Sequence, residues 1–339
     1  MSINRRQFLT GFGQSLLLTQ ISQFSPTTAN ASVSPIKPPR LKIGDTVGLV
    51  TPASPIKKSH LKFIQLQLAR QGLNVKVAPH ALDQYGYLAG VDRARAADIN
   101  TFFADHSIQA LIATGGGWGS SRILPLLDYD LIRRHPKIVL GYSDITALLL
   151  GIYSRSELIT FHGLLGTSIW NEFSVGYLKR LLFGAEAIVF QNPVEVRVET
   201  ITPGQARGRL VGGNLSVMGA LVGSAFLPDW NQAILFVEDV GEDVYRIDRM
   251  LTHLRLAGIL EQLAGFIFGQ CTRCLDEEDD SPTLSLSQVL NDHIRPLGIP
   301  AWYGSMIGHI RNQFTVPLGV EVEIDAKLGM IKMLESAVI

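Results

Sequence analysis

The chain has 339 residues, of which 46% are hydrophobic and 18% charged, so it can bury the cores of two ordinary domains. Its 30 basic and 30 acidic residues cancel, which argues against a nucleic-acid surface because such a surface needs a clustered positive field. The balance favours a protein that acts on small molecules or peptides. The 32 glycines suit an α/β protein with many tight turns.

Residues 1–31 have the pattern of an export signal. Arg5 and Arg6 precede a short apolar stretch, and Ala29-Asn30-Ala31 offers the small residues of a cleavage site. Paired arginines followed by Phe-Leu are typical of a twin-arginine signal, and the apolar run is too short to span a bilayer. The pattern predicts cleavage after Ala31, a periplasmic location and an extended proline-rich tether over residues 32–40. The alternative is a chance arginine pair before a frayed helix.

Residues 41–165 predict one doubly wound domain. Apolar strands alternate with segments of helical spacing, which is typical of a mostly parallel sheet covered on both faces. The predicted strands lie at 45–53, 73–78, 110–114 and 137–140, and the predicted helices at 61–71, 93–105, 121–127 and 145–153.

The pattern changes after residue 165. Residues 166–205 are less regular and are interpreted as the crossing between two domains, with a helix near 177–183 and an alternating stretch at 194–198. Residues 206–339 predict a smaller α+β domain, swivelling-barrel-like, with strands at 208–214, 233–238 and 265–269, a helix at 248–257 and a closing hairpin at 320–324 and 330–334. The acidic stretch 276–280 is interpreted as a solvated loop. The predicted fold class is therefore α/β, with a second α+β domain.

Cys271 and Cys274 form a Cys-x-x-Cys pair, which is half of a zinc site. No cysteine or histidine cluster lies close by in the sequence to complete such a site, so no metal is predicted. A disulfide is one interpretation if the protein is exported, and two ordinary small residues after a buried strand is the other.

The sharpest local signal lies between residues 137 and 147. A buried strand runs into Gly141-Tyr142-Ser143 and a helix begins at once, which is the context of a nucleophile elbow. The helix N-terminus supplies N–H groups and a partial positive charge that favour an oxyanion. The pattern departs from the common Gly-x-Ser-x-Gly because Ile145 takes the last position. The alternative for Ser143 is an ordinary N-cap serine.

A glycine-rich loop, Gly115-Gly116-Gly117-Trp118-Gly119, follows another predicted strand. Glycines let a backbone approach a ligand closely and leave N–H groups free. The spacing does not match the dinucleotide fingerprint and no phosphate-loop lysine is present, so no cofactor is predicted. In a parallel sheet this loop shares the carboxyl edge with Ser143, where it is placed to supply a second oxyanion donor.

A nucleophilic serine needs a base, and the base needs a group that orients it. His162 follows a predicted strand and His309 lies in a glycine-flanked loop, and spacing alone does not choose between them; polar or helical patterns surround His60, His106, His135 and His253. Glu238 ends a buried apolar strand, where an unpaired carboxylate is costly, and is a candidate to orient the base. The alternative for Glu238 is a salt bridge to Arg246 or Arg249.

Ordered motifs over nearly the whole chain after the export signal resemble the LD-carboxypeptidase family, which also includes the microcin C self-immunity peptidases. No single motif is diagnostic, but the ordered set is specific. The motifs are Gly44-Asp45-Thr46-Val47, Pro52-Ala53-Ser54, Gly115-Gly116-Gly117-Trp118-Gly119, Leu126-Leu127-Asp128-Tyr129, Pro136-Lys137, Gly141-Tyr142-Ser143-Asp144-Ile145-Thr146-Ala147-Leu148, Gly212-Gly213-Asn214-Leu215, Leu235-Phe236-Val237-Glu238-Asp239, Tyr245-Arg246-Ile247-Asp248-Arg249, Gly308-His309 and Pro317-Leu318-Gly319.

The resemblance implies a catalytic triad of Ser143, Glu238 and His309, and so prefers His309 over His162. It implies hydrolysis of the amide between an L-centre and a terminal D-amino acid, as in trimming a murein tetrapeptide to a tripeptide. Backbone N–H groups of Asp144 and of Gly116 or Gly117 would hold the oxyanion.

The resemblance also bears on assembly and location. It implies a homodimer. Members that recycle murein peptides are cytoplasmic as a rule, so the export signal is a departure and a cytoplasmic location is the alternative.

Two other functions are retained. A self-immunity-type peptidase that cleaves peptide–nucleotide antibiotics would need an aromatic slot for a base, for which Trp118 and Trp170 are candidates. A periplasmic two-domain binding protein without turnover would keep the cleft but would not require Ser143.

Overall fold

The computed structural model describes residues 35–274 and 282–339. The predicted export signal at 1–31 and the predicted acidic loop at 276–280 lie outside the described residues. The end of the predicted tether is tied to the body, because Ile36 forms a parallel bridge with Leu158 and the Arg40 N–H donates to the Ile339 carbonyl. None of the helices in the described part of the chain has the length and apolarity needed to cross a membrane.

Helices and strands alternate through the first half of the described chain, and strands dominate the second half. The α-helices are α1 (Lys58–Arg70), α2 (Asp92–Ala104), α3 (Tyr129–Arg134), α4 (Thr146–Ser156), α5 (Glu172–Leu182), α6 (Leu215–Gly219), α7 (Val244–Leu256) and α8 (Leu286–His293). The strands are β1 (Thr46–Val50), β2 (Asn74–Val77), β3 (Ile108–Ala113), β4 (Ile138–Gly141), β5 (Thr160–His162), β6 (Val189–Gln191), β7 (Glu199–Thr202), β8 (Gln205–Asn214), β9 (Ile234–Val240), β10 (Gly265–Thr272), β11 (Ala301–Tyr303), β12 (Val316–Leu318), β13 (Glu321–Asp325) and β14 (Met330–Met333).

The first sheet has the strand order β12-β5-β4-β3-β1-β2. Strands β1 to β5 run parallel, and β12 joins the edge antiparallel to β5. Every residue of β4 is buried, as expected of a parallel strand with helices on both faces. After β1 the chain continues to β2 on one side of the β1–β3 pair, and after β3 it continues to β4 on the opposite side. A ligand crevice is expected at the carboxyl ends of β1 and β3, because neighbouring connections diverge there. The doubly wound α/β prediction is confirmed.

The second sheet has the order β6-β14-β13-β8-β9-β10-β11-β7. Its centre is parallel, from β8 to β11, and antiparallel pairs flank it. The predicted closing hairpin is confirmed by the antiparallel pairing of β13 with β14. The bounds predicted for the two domains and their crossing stay predictions; β12, from the late part of the chain, belongs to the first sheet.

One local prediction differs from the structure. The alternating stretch 194–198 forms a turn that the Val196 N–H closes on the Pro193 carbonyl; Val194 is exposed, while Val196 and Val198 pack against the core. The predicted helix at 121–127 is a 3-10 helix, Ser120–Leu126, which contains Pro125; proline lacks the N–H that an α-helical bond would use.

Candidate active site

Ser143 lies on a sharp turn between β4 and α4. Its φ of 63° is in the left-handed region that few non-glycine residues adopt. A short 3-10 turn, Ser143–Ile145, then continues into α4. A Cβ at Gly141 would come within 2.8 Å of the Ile145 Cγ2. The turn therefore has the form of a nucleophile elbow in which Ile145 packs over Gly141, which explains how the motif tolerates an isoleucine in place of its usual second glycine.

The glycine-rich loop lies against the Ser143 side chain. A Cβ at Gly116 would be 3.0 Å from the Ser143 Cβ and 3.1 Å from its Oγ. Gly117 has a φ of 110°, and a Cβ there would lie 2.2 Å from the Ser54 Oγ, which accepts a hydrogen bond from the Trp118 N–H at 3.1 Å. The loop thus reaches the nucleophile only because it lacks side chains at these positions, and the oxyanion role of its N–H groups stays a prediction.

Asp144 joins the elbow to this loop. Its buried carboxylate accepts a hydrogen bond from the Ser120 N–H at 2.8 Å, and its carbonyl accepts one from the Ser120 hydroxyl. The side chain of Asp144 therefore holds the turn in place, and the oxyanion role predicted for this residue concerns its backbone N–H alone.

Glu238 and His309 come from the second sheet and its loops, and they form a hydrogen bond. Glu238 lies on β9 and is fully buried, and its Oε2 is 2.7 Å from the His309 Nδ1. When Nδ1–H donates to this carboxylate, Nε2 is the ring nitrogen that accepts a proton. His309 keeps 18% of its side chain exposed, so a buried carboxylate is paired with an accessible imidazole, as the predicted roles of orienting group and base require.

The alternative partners of Glu238 are engaged elsewhere. Arg246 forms ion pairs with Asp243 at 3.2 Å and with Glu242 at 3.7 Å, and Arg249 lies over the Tyr245 ring. The salt-bridge interpretation of Glu238 is therefore wrong.

The loop that carries His309 is packed tightly on both sides. A Cβ at Gly308, where φ is 123°, would come within 2.8 Å of the Glu238 Oε2. On the other side, the Thr272 hydroxyl donates to the His309 carbonyl at 2.9 Å. These contacts, which sequence analysis did not predict, join residues far apart in the chain and fix the position of the base.

Tyr142 connects the elbow to both competing histidines. Its ring lies edge-on to His309 with centroids 4.8 Å apart, and 5.9 Å from the His162 ring. His162 is fully buried, burial lowers its pKa to about 4, and neither ring nitrogen has a hydrogen-bond partner among the described residues. A histidine that solvent and substrate cannot reach is a poor base, so the structure favours His309.

Ser143 and His309 are not hydrogen-bonded to each other in this structure. Over residues 35–274 and 282–339, no hydrogen bond joins the Ser143 Oγ to the His309 ring. Catalytic hydrogen bonds are often long in substrate-free sites and tighten when substrate binds, so the arrangement is compatible with a serine–histidine pair.

A cavity of about 370 Å³ opens beside Ser143. Three acidic residues, Asp144, Asp239 and Glu242, are among those that line it, and no described lysine or arginine does. Asp239 accepts hydrogen bonds from the Asn214 Nδ2 at 3.0 Å and from a backbone N–H of α6 at 2.8 Å. Burial, together with the neighbouring Glu238 charge, raises the pKa of Asp239 to about 6. Asn214 and Asp239 belong to the sequence motifs, but sequence analysis assigned neither of them a role. The signal that could have identified Asp239 is its position directly after Glu238, as a second acidic residue near the end of a buried strand.

The remaining candidate residues are the two cysteines and two tryptophans. Cys271 and Cys274 form a disulfide, so the interpretations as half a zinc site and as two unpaired residues are wrong, and no group of three or more metal-binding side chains occurs in the described part of the chain. Trp118 lines the cavity and is 52% exposed, whereas the Trp170 Nε1 donates to the Leu165 carbonyl at 3.0 Å as a packing residue does.

Comparisons with known proteins identify the family of the chain. Residues 47–163 match the family model of the LD-carboxypeptidase N-terminal domain, and residues 207–324 match that of the LD-carboxypeptidase C-terminal domain. A Bacillus subtilis protein named "Probable murein peptide carboxypeptidase" is 39% identical over 293 residues, which cover 85% of this chain and 91% of that protein. The Microcin C7 self-immunity protein MccF of Escherichia coli is 29% identical over 321 residues, covering 84% and 92%. A solved structure of MccF in its inactive mutant apo state superposes with a TM-score of 0.82 at 25% identity, over 90% of this chain and 100% of that one.

Proposed function

The chain belongs to the LD-carboxypeptidase family, and from that premise we propose that it is a serine carboxypeptidase that releases the terminal D-amino acid of murein tetrapeptides. Family membership makes the chain a carboxypeptidase hydrolase. The observation that carries the residue assignment is the 2.7 Å bond between Glu238 and His309, whose ring packs on the residue next to the strained elbow at Ser143.

The proposed mechanism uses one proton acceptor twice. The His309 Nε2 takes the Ser143 proton as Oγ attacks the carbonyl carbon of the L,D amide, and Glu238 stabilises the imidazolium that forms. Backbone N–H groups of Asp144 and of Gly116 or Gly117 hold the oxyanion, where the loss of one donor costs about 3 kcal/mol. His309 then protonates the leaving amine, which departs as the D-amino acid. Water, deprotonated by His309, attacks the acyl-serine; the bond to the Ser143 Oγ breaks, His309 returns its proton to that oxygen, and the shortened peptide leaves as its carboxylate.

The charge of the cavity supports a murein peptide as substrate. Asp239 and Glu242 line the cavity beside Ser143, so negative charge on them favours a free amine such as that of a diaminopimelyl residue. The same charges repel the phosphate of a peptide–nucleotide antibiotic. The half-exposed Trp118 at the cavity wall favours the antibiotic as second candidate, because an indole can stack on a nucleobase.

Release of D-alanine from L-alanyl-D-glutamyl-meso-diaminopimelyl-D-alanine tests the proposal. We expect release by the mature protein, none by Ser143→Ala, and near-normal release by Ser121→Ala, which removes another serine of the same cavity wall. A wild-type protein that cleaves only a peptide–nucleotide conjugate would support the second candidate. A protein that binds the tetrapeptide without turnover would contradict the proposed substrate.

We also propose that the twin-arginine-type signal exports the enzyme to the periplasm. The Arg5-Arg6 pair supports export, and the Cys271–Cys274 disulfide is of a kind that persists in oxidising compartments. Periplasmic protein whose sequence begins at Ser32 would agree with cleavage after Ala31, and an intact Met1 would contradict it. Sedimentation of the mature protein tests the homodimer that the family resemblance implies.

A further inference from the structure

The Cys271–Cys274 disulfide lies at the end of β10, between the two structural elements that carry the base and its carboxylate. On one side, Cys271 pairs in register with Asp239 of β9, the residue after Glu238. On the other side, the Thr272 hydroxyl donates to the His309 carbonyl at 2.9 Å. The disulfide is thus one residue away from the contact that holds the histidine loop.

The backbone inside the disulfide loop is strained. Arg273, between Thr272 and Cys274, has a φ of 56°, which a non-glycine residue adopts at a cost. Its side chain is exposed, whereas Cys274 is buried with 6% of its surface accessible. The S–S bond closes a loop of only a few residues and so denies Arg273 the freedom to relax. Thr272 is the last residue of β10, where it pairs with Val240 of β9 and its carbonyl accepts a hydrogen bond from the Gly241 N–H at 2.9 Å, so relaxation at Arg273 would act on Thr272 by loosening the end of this strand pair.

We propose that the Cys271–Cys274 disulfide is a positioning element for His309: it fixes Thr272, and through Thr272 it holds the histidine loop at the reach that proton transfer from Ser143 requires. The inference rests on the role of His309 in the proposed function. A dithiol reductant reverses the effect. Its thiolate attacks one cysteine sulfur, which forms a mixed disulfide and releases the other cysteine as a thiolate; the second thiol of the reductant then attacks the reductant's own sulfur in the mixed disulfide and releases the first cysteine, so the cysteines gain two electrons and two protons and the reductant leaves as its own disulfide.

The experiment compares the oxidised full chain, the chain reduced with dithiothreitol, and Cys271→Ser/Cys274→Ser. We expect kcat for D-alanine release to fall by at least about tenfold in the last two, since small displacements of a catalytic group cost large rate factors. KM should stay within about twofold, because the cavity wall is unchanged. Labelling of Ser143 by a fluorophosphonate should slow by the same factor as kcat, because it also needs the base. Reoxidation should restore the reduced chain.

Thr272→Val separates the disulfide from the contact it supports. This variant keeps both cysteines and loses only the hydroxyl that donates to His309, so we expect the same fall in kcat and no further fall on reduction. A Thr272→Val protein with wild-type kcat would overturn the proposal. So would equal kcat and labelling rates in the oxidised and reduced chains, or a fall in kcat matched by a rise in KM and a collapse of the melting temperature.

The labelling rate also separates this inference from the proposed function. If no form releases D-alanine while the labelling of Ser143 still depends on the disulfide, the proposed substrate is wrong and the inference holds. If D-alanine is released and the labelling rate is the same with the Cys271–Cys274 disulfide oxidised and reduced, the proposed function holds and the inference is wrong.

Discussion

Replacing Gly308 by alanine tests the carboxylate–histidine pair without removing either side chain. Two penalties arise at this position. The backbone has a φ of 123°, in a region where an L-residue costs about 1–3 kcal/mol. The added Cβ would lie 2.8 Å from the Glu238 Oε2 and 2.9 Å from the Glu238 Cβ. Because Glu238 is fully buried, it has no solvent to move into, and the histidine loop must shift instead.

That shift acts on the 2.7 Å bond between Glu238 and His309. A misplacement of about 1 Å in a catalytic group can cost about 100-fold in rate, which corresponds to about 2.7 kcal/mol at the transition state. We therefore expect Gly308→Ala to lower kcat for D-alanine release by about 100-fold, with a smaller effect on KM. Urea unfolding should show a loss of about 1–3 kcal/mol in the free energy of unfolding.

Gly44→Ala is the matched control, because Gly44 also has a positive φ, 92°, but nothing lies within 4 Å of a Cβ there. We expect this variant to lose stability and to keep its kcat. A folded Gly308→Ala protein with wild-type kcat would refute the reasoning, since the loop would then accept a side chain without moving the base.

Three further predictions concern other residues of the site. His309→Gln should lower kcat by about 100-fold or more, since a positioned base contributes that much, while His162→Leu should keep most activity; equal losses in D-alanine release would contradict the choice of base. The free energy of unfolding, measured with urea at a series of pH values, should show two opposite pH dependences of about 3 kcal/mol each. His162, with its pKa lowered from 6.5 to about 4, makes the wild type less stable relative to His162→Leu as pH falls through that window. Asp239, with its pKa raised from 3.8 to about 6, makes the wild type less stable relative to Asp239→Asn as pH rises through its window; flat differences would show that these groups titrate normally. Glu242→Lys should raise KM for the diaminopimelyl tetrapeptide by about tenfold, as expected from reversing one charge in a partly buried site, and an unchanged KM would remove Glu242 from the substrate wall.

The sharp turn at Ser143 was predictable from sequence because its geometry is local, whereas its role as the nucleophile is implied by the family resemblance and stays a prediction. The strand, the Gly141-Tyr142-Ser143 turn and the helix that follows fall within a short segment, and the observed φ of Ser143 agrees with that prediction. Strands β1 to β4 were predicted for the same reason, since an apolar run and its alternation are properties of neighbouring residues, whereas β12, which comes from the late part of the chain, was not assigned to this sheet.

The choice of base was not available from local pattern. His162 and His309 both follow apolar segments beside a glycine, and what separates them is burial, which depends on tertiary packing. His162 pairs in register with Gly141 and is fully buried, whereas His309 stays accessible beside Glu238. The contact between Thr272 and His309 joins residues 37 positions apart, and no spacing rule predicts such a pair.

The antiparallel pairing of β12 with β5 has a consequence for biosynthesis. The backbone of Thr160–His162 remains an open edge until Val316–Leu318 has left the ribosome, so the first sheet cannot be completed as an early folding unit. An unpaired edge is a template for association with other chains. A chain that ends before residue 316 is therefore expected to aggregate rather than to yield a stable N-terminal half, and a nascent chain must protect this edge until the last strands arrive.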